Sequence, residues 1–98
     1  MTQHYAKSEQ MVERTVRDEQ VLVPIGGHAD ELEALYNLNR TAAFVFNAAG
    51  EGLTAEEIAD RLSSEFEISP SEALADVQAA LAELTAIGAL RAIAEGGG

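Results

Sequence analysis

The chain has 98 residues, 47% of them hydrophobic and 23% charged, with 17 acids against 6 bases and no cysteine. That length accommodates one domain around one core, and the composition is too apolar for a disordered chain. A net charge of −11 repels phosphate backbones and anionic lipid surfaces, and without cysteine there is no disulfide, thiolate metal site or cysteine nucleophile.

The longest apolar runs, Val21–Ile25 and Ala42–Phe46, span five residues each, where a membrane helix needs about 20. Met1 to Arg14 is polar and lacks the apolar stretch of a secretory signal. The expectation is a cytoplasmic protein with neither membrane nor nucleic acid as partner.

Residues 1–10 carry no period and are expected to form a flexible arm before a domain over residues 11–93. From Met11 the pattern alternates: Val12, Arg14 and Val16 against Glu13, Thr15 and Arg17. After Asp18-Glu19, Val21, Val23 and Ile25 alternate with Leu22 and Pro24. Period-two spacing with β-branched residues predicts two strands joined by a tight turn. Pro24 lacks an N–H, so it belongs at an edge-facing position or a bulge. Gly26 to Asp30 is turn chemistry, and Leu32–Leu38 reads as a third extended stretch with Ala34, Tyr36 and Leu38 on one side.

Beyond Leu38 the period turns helical. Asn39 is an N-cap for a helix with Ala42, Val45, Phe46 and Ala49 on one face, and Gly50 is expected to end it. Thr54 and Glu57 form a capping box, with Leu53 and Ile58 as its hydrophobic staple. Ile58, Leu62 and Phe66 are that helix's buried stripe. Ser69, Pro70 and Glu72 mark a third start with a second box. Leu74, Val77, Leu81 and Leu84 then recur at spacings of three and four up to Gly88. Leu90 to Ile93 suggests a short final strand, and 94–98 a disordered tail. The fold class is therefore α+β: a three-stranded antiparallel sheet followed by three helices, in the manner of a winged helix-turn-helix.

Little here supports catalysis. His4 and His28 stand in no metal-binding spacing, and the carboxylates of Glu56, Glu57, Asp60, Glu65 and Glu67 read as a solvated helix face. No catalytic residue, metal ligand or cofactor is expected. The glycines of Gly26-Gly27 and Gly50-Glu51-Gly52 do not match a phosphate-cradling loop. A winged helix would read DNA with its third helix, yet Pro70 to Ile87 holds Glu72, Asp76 and Glu83 and no base. A binding module remains. Leu32–Leu38 offers an exposed strand edge, and the alanine-rich third helix lets a partner approach closely, although alanine also simply favours helix.

These motifs in order resemble the PqqD family, also called the recognition element of ribosomally made, modified peptides. The resemblance rests on Tyr36-x-Leu38-Asn39 entering an alanine-rich helix, Gly50 to Gly52, Leu53-Thr54, Glu57-Ile58-Ala59 and Leu62. It continues through Asp76-Val77, Leu81, Leu84, Gly88 and Leu90, and covers about residues 12–93. It implies a winged-helix-like fold and a non-catalytic role: binding the leader segment of a precursor peptide and delivering it to a modifying enzyme. That enzyme would be a radical S-adenosylmethionine protein or a leader peptidase and cyclase. The leader would add as a strand along the third strand and pack on the third helix. The implied contacts are Leu32, Glu33, Ala34, Leu35, Tyr36 and Asn37 on the strand, and Asp76, Val77, Ala80 and Leu84 on the helix. Tyr36 also has a core reading, since it shares a face with Leu38, and Asp76 also reads as a solvated acid. The run Leu22-Val23-Pro24-Ile25 and the acidic stretch after it depart from the family's pyrroloquinoline-quinone form.

Two other readings stand beside this one. The first is a structural or regulatory subunit that docks on an enzyme without a peptide; the second is an acidic winged-helix regulator. The charge pattern separates the last of these. Duplex DNA should give no mobility shift even at low salt, where counterion release favours binding most, and a salt-sensitive micromolar complex would contradict the electrostatic argument.

Overall fold

The structure, a computed structural model, describes residues 3–24 and 36–94. Four strands, β1 (Gln3–Lys7), β2 (Met11–Val16), β3 (Glu19–Pro24) and β4 (Tyr36–Leu38), come first. They are followed by α1 (Arg40–Gly50), α2 (Ala55–Phe66), α3 (Pro70–Ala86) and β5 (Leu90–Ala94). The antiparallel sheet β2-β3-β4 precedes three helices, as the sequence predicts, and a second sheet pairs β1 with β5.

The β2–β3 hairpin turns at Arg17-Asp18, with Val16 opposite Glu19. Its tip is exposed from Glu13 to Glu19, and Val16 is 55% exposed, so this end projects as a wing. Pro24 ends β3 opposite Met11, while β4 pairs with β3 only from Gln20 to Leu22. Its missing N–H therefore removes no bond to β4 among the described residues. Simple alternation fails in β3: Val21 and Leu22 are both buried, Leu22 within the main core and Val21 outside it. Of the third predicted strand, the described part is Tyr36–Leu38. Leu32 to Leu35, the glycine turn with His28, and the tail beyond Ala94 lie outside the described residues.

The expected N-terminal arm is corrected. Gln3–Lys7 is a strand, with Tyr5 opposite Ala92 and Lys7 opposite Leu90, and the N–H of Ser8 donates to Ala89 O at 2.9 Å. Lys7 fastens it to the domain. Its stem crosses Gly50, where a Cβ would fall 2.5 Å from Lys7 Cε. Its ammonium lies 2.7 Å from Glu13 Oε1 and 4.7 Å from the centre of the Phe46 ring. No apolar period marks this strand, because its partner is at the other end of the chain.

The helix starts follow their caps. Asn39 Oδ1 accepts the N–H of Ala42 at 2.8 Å. Thr54 and Glu57 form the full capping box: Thr54 Oγ1 accepts from the N–H of Glu57, and the N–H of Thr54 donates to Glu57 Oε1 at 2.8 Å. The second predicted box is half made, since Ser69 accepts from the N–H of Glu72 and Pro70 takes the first turn, with no return bond from Glu72. Gly50 is the last residue of α1 rather than its stop. The left-handed turn falls on Gly52 (φ 93), with Leu53 N–H donating to Ala48 O. Gly88 (φ 83) ends α3 in the same way. Glu67 does this for α2 at φ 55, without glycine's freedom.

One core unites the elements. Phe46, Leu22, Ile58, Leu62, Val45 and Val77 are its largest fully buried side chains. The buried stripe of α3 is Ala73, Val77, Leu81 and Leu84, and α3 packs against α1, α2 and β5.

Two outcomes follow from the caps. Glu67→Gly removes left-handed strain and an acid at a helix C-terminus, against some gain in unfolded-state entropy, so urea unfolding should show a gain of about 0.5–1 kcal/mol. The second concerns Glu57. Hydrogen bonds from Thr54 hold its carboxyl below the ordinary glutamate range. A lowered folded pKa contributes stability that is present above the unfolded pKa and lost as pH falls through the folded one. Wild type should therefore exceed Glu57→Gln in stability at neutral pH, with the difference closing in acid; a difference that persists at low pH would mean the carboxylate is not the source.

Candidate functional site

β3 occupies one edge of β4, and among the described residues the other edge has no partner strand. Beside it runs a groove between α3 and the start of α1. Its inner part is a cavity of about 80 Å³ lined by Tyr36, Asn37, Leu38, Asn39, Ala42, Ala80, Glu83, Leu84 and Ile87. It continues into a wider depression of about 310 Å³, where Thr41, Asp76 and Ala79 join Asn39, Ala42, Ala80 and Glu83. From β4 towards α1 the groove follows α3 backwards, from Ile87 to Asp76.

Local sequence explains this shape. Asn39 keeps an extended backbone while its side chain caps α1, so the chain passes from strand to helix within one residue and the two meet at a corner. Ala42 and Ala80 place no more than a methyl group on either wall. On α3 and its C-cap, positions 76, 80, 83 and 87 share one side, three or four residues apart, next to the stripe at 73, 77, 81 and 84 that enters the core.

The sequence-predicted contacts divide accordingly. Tyr36, Asn37 and Ala80 line the inner cavity, and Asp76 lines the outer depression. Leu84 is 2% exposed and forms the floor. Tyr36 is half-buried against the core and also lines the cavity. Val77, expected as a contact, is instead fully buried in the core stripe on the neighbouring face of α3 and does not line the groove. Leu32, Glu33, Ala34 and Leu35 lie outside the described residues. Sequence reasoning missed Leu38, Asn39, Ala42, Glu83 and Ile87. The spacing from Asp76 through Ala80 and Glu83 to Ile87 was the available signal for two of them.

The groove's charge is of one sign. Asp76 and Glu83 are exposed acids, and α3 carries no base. The nearest cation in sequence, Arg40, lies over the Phe66 ring at 4.7 Å, and that ring meets Phe44 edge-on at 5.7 Å. No set of three metal-ligating side chains is gathered among the described residues, and no described helix is long and apolar enough to cross a membrane.

The division between core and groove has a thermodynamic signature. Val77→Ala should lower stability by about 2 kcal/mol through lost burial and a residual cavity, whereas Asp76→Ala should stay within about 0.5 kcal/mol of wild type. Chemical denaturation of the two variants reads both, and equal effects would contradict the assignment of faces.

Comparison with known proteins bears on the fold. A structure of lasso peptide synthetase B1 complexed with a leader peptide superposes with a TM-score of 0.75 at 23% identity, covering 90% of this chain and 98% of that one. TbiB1 in complex with the TbiA(beta) leader peptide gives 0.70 at 21% identity, covering 95% and 98%. At these identities the likeness is one of fold. No curated protein matches the sequence significantly. Residues 19–90 match the family described as coenzyme PQQ synthesis protein D, and the chain, with its three-stranded sheet and three helices, belongs to the PqqD family.

Proposed function

We propose that this protein is a non-catalytic binder of the leader segment of a ribosomally made precursor peptide, which it holds for a modifying enzyme. The observation that carries the proposal is the β4 edge, unpaired among the described residues, lying directly beside the α3 groove. A peptide added to that edge would gain main-chain hydrogen bonds from the strand and side-chain selectivity from the groove. Family membership and the leader peptides bound to both similar structures support the same ligand class. The partner enzyme would be a leader peptidase with its cyclase, or a radical S-adenosylmethionine protein. The competing reading, a subunit that docks on an enzyme without any peptide, needs no open strand edge.

Ala80 provides the test. It is half-buried at the groove wall, so an arginine there would fill the groove while its head reached solvent. Isothermal titration with the leader of a precursor encoded beside this gene should show at least about tenfold weaker binding to Ala80→Arg, the cost of a poorly placed charge. Circular dichroism should be unchanged. Equal affinities would remove the groove from the account, and absence of binding to wild type would favour direct enzyme docking.

A further inference from the structure

Four polar side chains from four elements form a closed network across the β4–α1 corner. Gln20 on β3 and Asn47 on α1 bond amide to amide in both directions. Gln20 Nε2 donates to Asn47 Oδ1 at 3.3 Å, and Asn47 Nδ2 donates to Gln20 Oε1 at 3.2 Å. Glu13 Oε1 on β2 accepts from Gln20 Nε2 at 3.1 Å. Lys7 Nζ on β1 donates to Glu13 Oε1 at 2.7 Å and to Asn47 Oδ1 at 3.3 Å. The two charges fix which way each amide points. The ammonium calls for an oxygen from Asn47 and the carboxylate for an N–H from Gln20, so a single arrangement satisfies all four groups. None of the four lines the groove.

The position of the amide pair in the chain gives it leverage on the groove. Gln20 stands opposite Leu38, the last residue of β4 and part of the inner cavity. Asn39 follows, and α1 begins at Arg40 with Ala42 of its first turn on the groove wall. Asn47 lies five residues further, about 7.5 Å along the helix axis. Strand and helix thus diverge from Asn39, and the Gln20–Asn47 pair spans the angle between them. Backbone pairing alone is short here, since β4 meets β3 at three residues. A strut across the corner fixes its angle, and that angle sets how Leu38 and Ala42 stand towards Ala80 on α3.

Resting on the peptide-binding reading above, we propose that Gln20 and Asn47 are positioning residues for the peptide site. Their amide pair, oriented by Glu13 and Lys7, holds the β4–α1 corner at the angle that lets a strand join the β4 edge. Without the strut the chain still folds, but the corner samples other angles, and the fraction of molecules ready for a peptide falls. Glu13 and Asn47 are exposed and Gln20 is half-buried, so the network adds little to stability. Its effect falls on affinity, which separates a strut from an ordinary surface contact.

The experiment uses the whole chain and the leader of the precursor encoded beside this gene, labelled for fluorescence anisotropy. Gln20→Glu keeps the shape of the side chain, removes its N–H donors and sets a carboxylate against Glu13. It should weaken leader binding by at least about fivefold, with a melting temperature within about 4 °C of wild type. Asn47→Ala breaks the pair from the helix side with a residue that favours helix, and should weaken binding to a similar extent. Adding Glu13→Gln to Gln20→Glu returns one carboxylate and one amide to the strand pair, with the net charge of wild type. That double variant should bind within about twofold of wild type. Gln78→Glu adds the same charge on the far flank of α3 and should also stay within about twofold.

Unchanged affinity in Gln20→Glu or Asn47→Ala, failure of Glu13→Gln to restore binding, or an equal loss in Gln78→Glu would overturn the strut. In each of these cases wild type still binds the leader and peptide recognition stands. Unfolding of Gln20→Glu would overturn it too, since the network would then hold the fold and not the corner. A wild type that binds no leader overturns the proposal together with the reading beneath it.

Discussion

The burial of one stripe of α3 is the constraint on which the rest of the structure depends. Ala73, Val77, Leu81 and Leu84 enter the core that α1, α2 and β5 share. Once that stripe is inside, helical geometry leaves no freedom over which residues stand beside it. Asp76, Ala80, Glu83 and Ile87 form one flank of it, and the arrival of β4 and α1 on that side turns them towards the corner where β4 becomes α1. Leu84 belongs to both regions, a core residue by burial and the groove's floor by position. Core and site are thus one packing solution, and a ligand in the groove would rest on side chains already held in place by folding.

The corner itself comes from local chemistry. Asn39 ends the strand by turning its side chain to the N–H of Ala42, and the small Ala42 keeps the first turn of α1 clear of α3. On the far side of the domain, the β1–β5 sheet joins the chain ends, and Lys7 pins it across Gly50 to Phe46 and Glu13. A larger cavity of about 820 Å³ lies there, lined by Tyr5, Gln78, Ala82, Thr85 and Ala92 among others. It shares no residue with the groove, so the two flanks of α3 are distinct surfaces.

The helices were legible because their signals are local. Thr54 with Glu57, Pro70 after Ser69 and Gly88 each act within one turn, and the structure uses all of them. The stripe of α3 was legible from its spacing at Val77, Leu81 and Leu84, but it begins at the buried Ala73 rather than at Leu74, which is only half-buried. What spacing could not show is which flank of that stripe lines a groove, because that depends on where β4 and α1 arrive; spacing alone does not separate the buried Val77 from Glu83 and Ile87, which line the groove. β1 was illegible for a similar reason. Gln3-His4-Tyr5-Ala6-Lys7 has no period, and its order comes from pairing with Leu90–Ala94, more than 80 residues away. Gly50 misled in a different way: its missing Cβ makes room for Lys7, and the left-handed turn belongs to Gly52.

The central claim is that peptide recognition takes place on the β4 edge and the adjoining side of α3. Amide hydrogen exchange with and without bound leader tests it most directly, since strand addition must protect backbone N–H groups as well as bury side chains. The account predicts new protection at Tyr36–Leu38 and along the Asp76–Ile87 segment, with exchange in β1 and β5 unchanged. Protection confined to the β1–β5 sheet and the Gln78–Thr85 flank, with β4 exchanging as before, would contradict it.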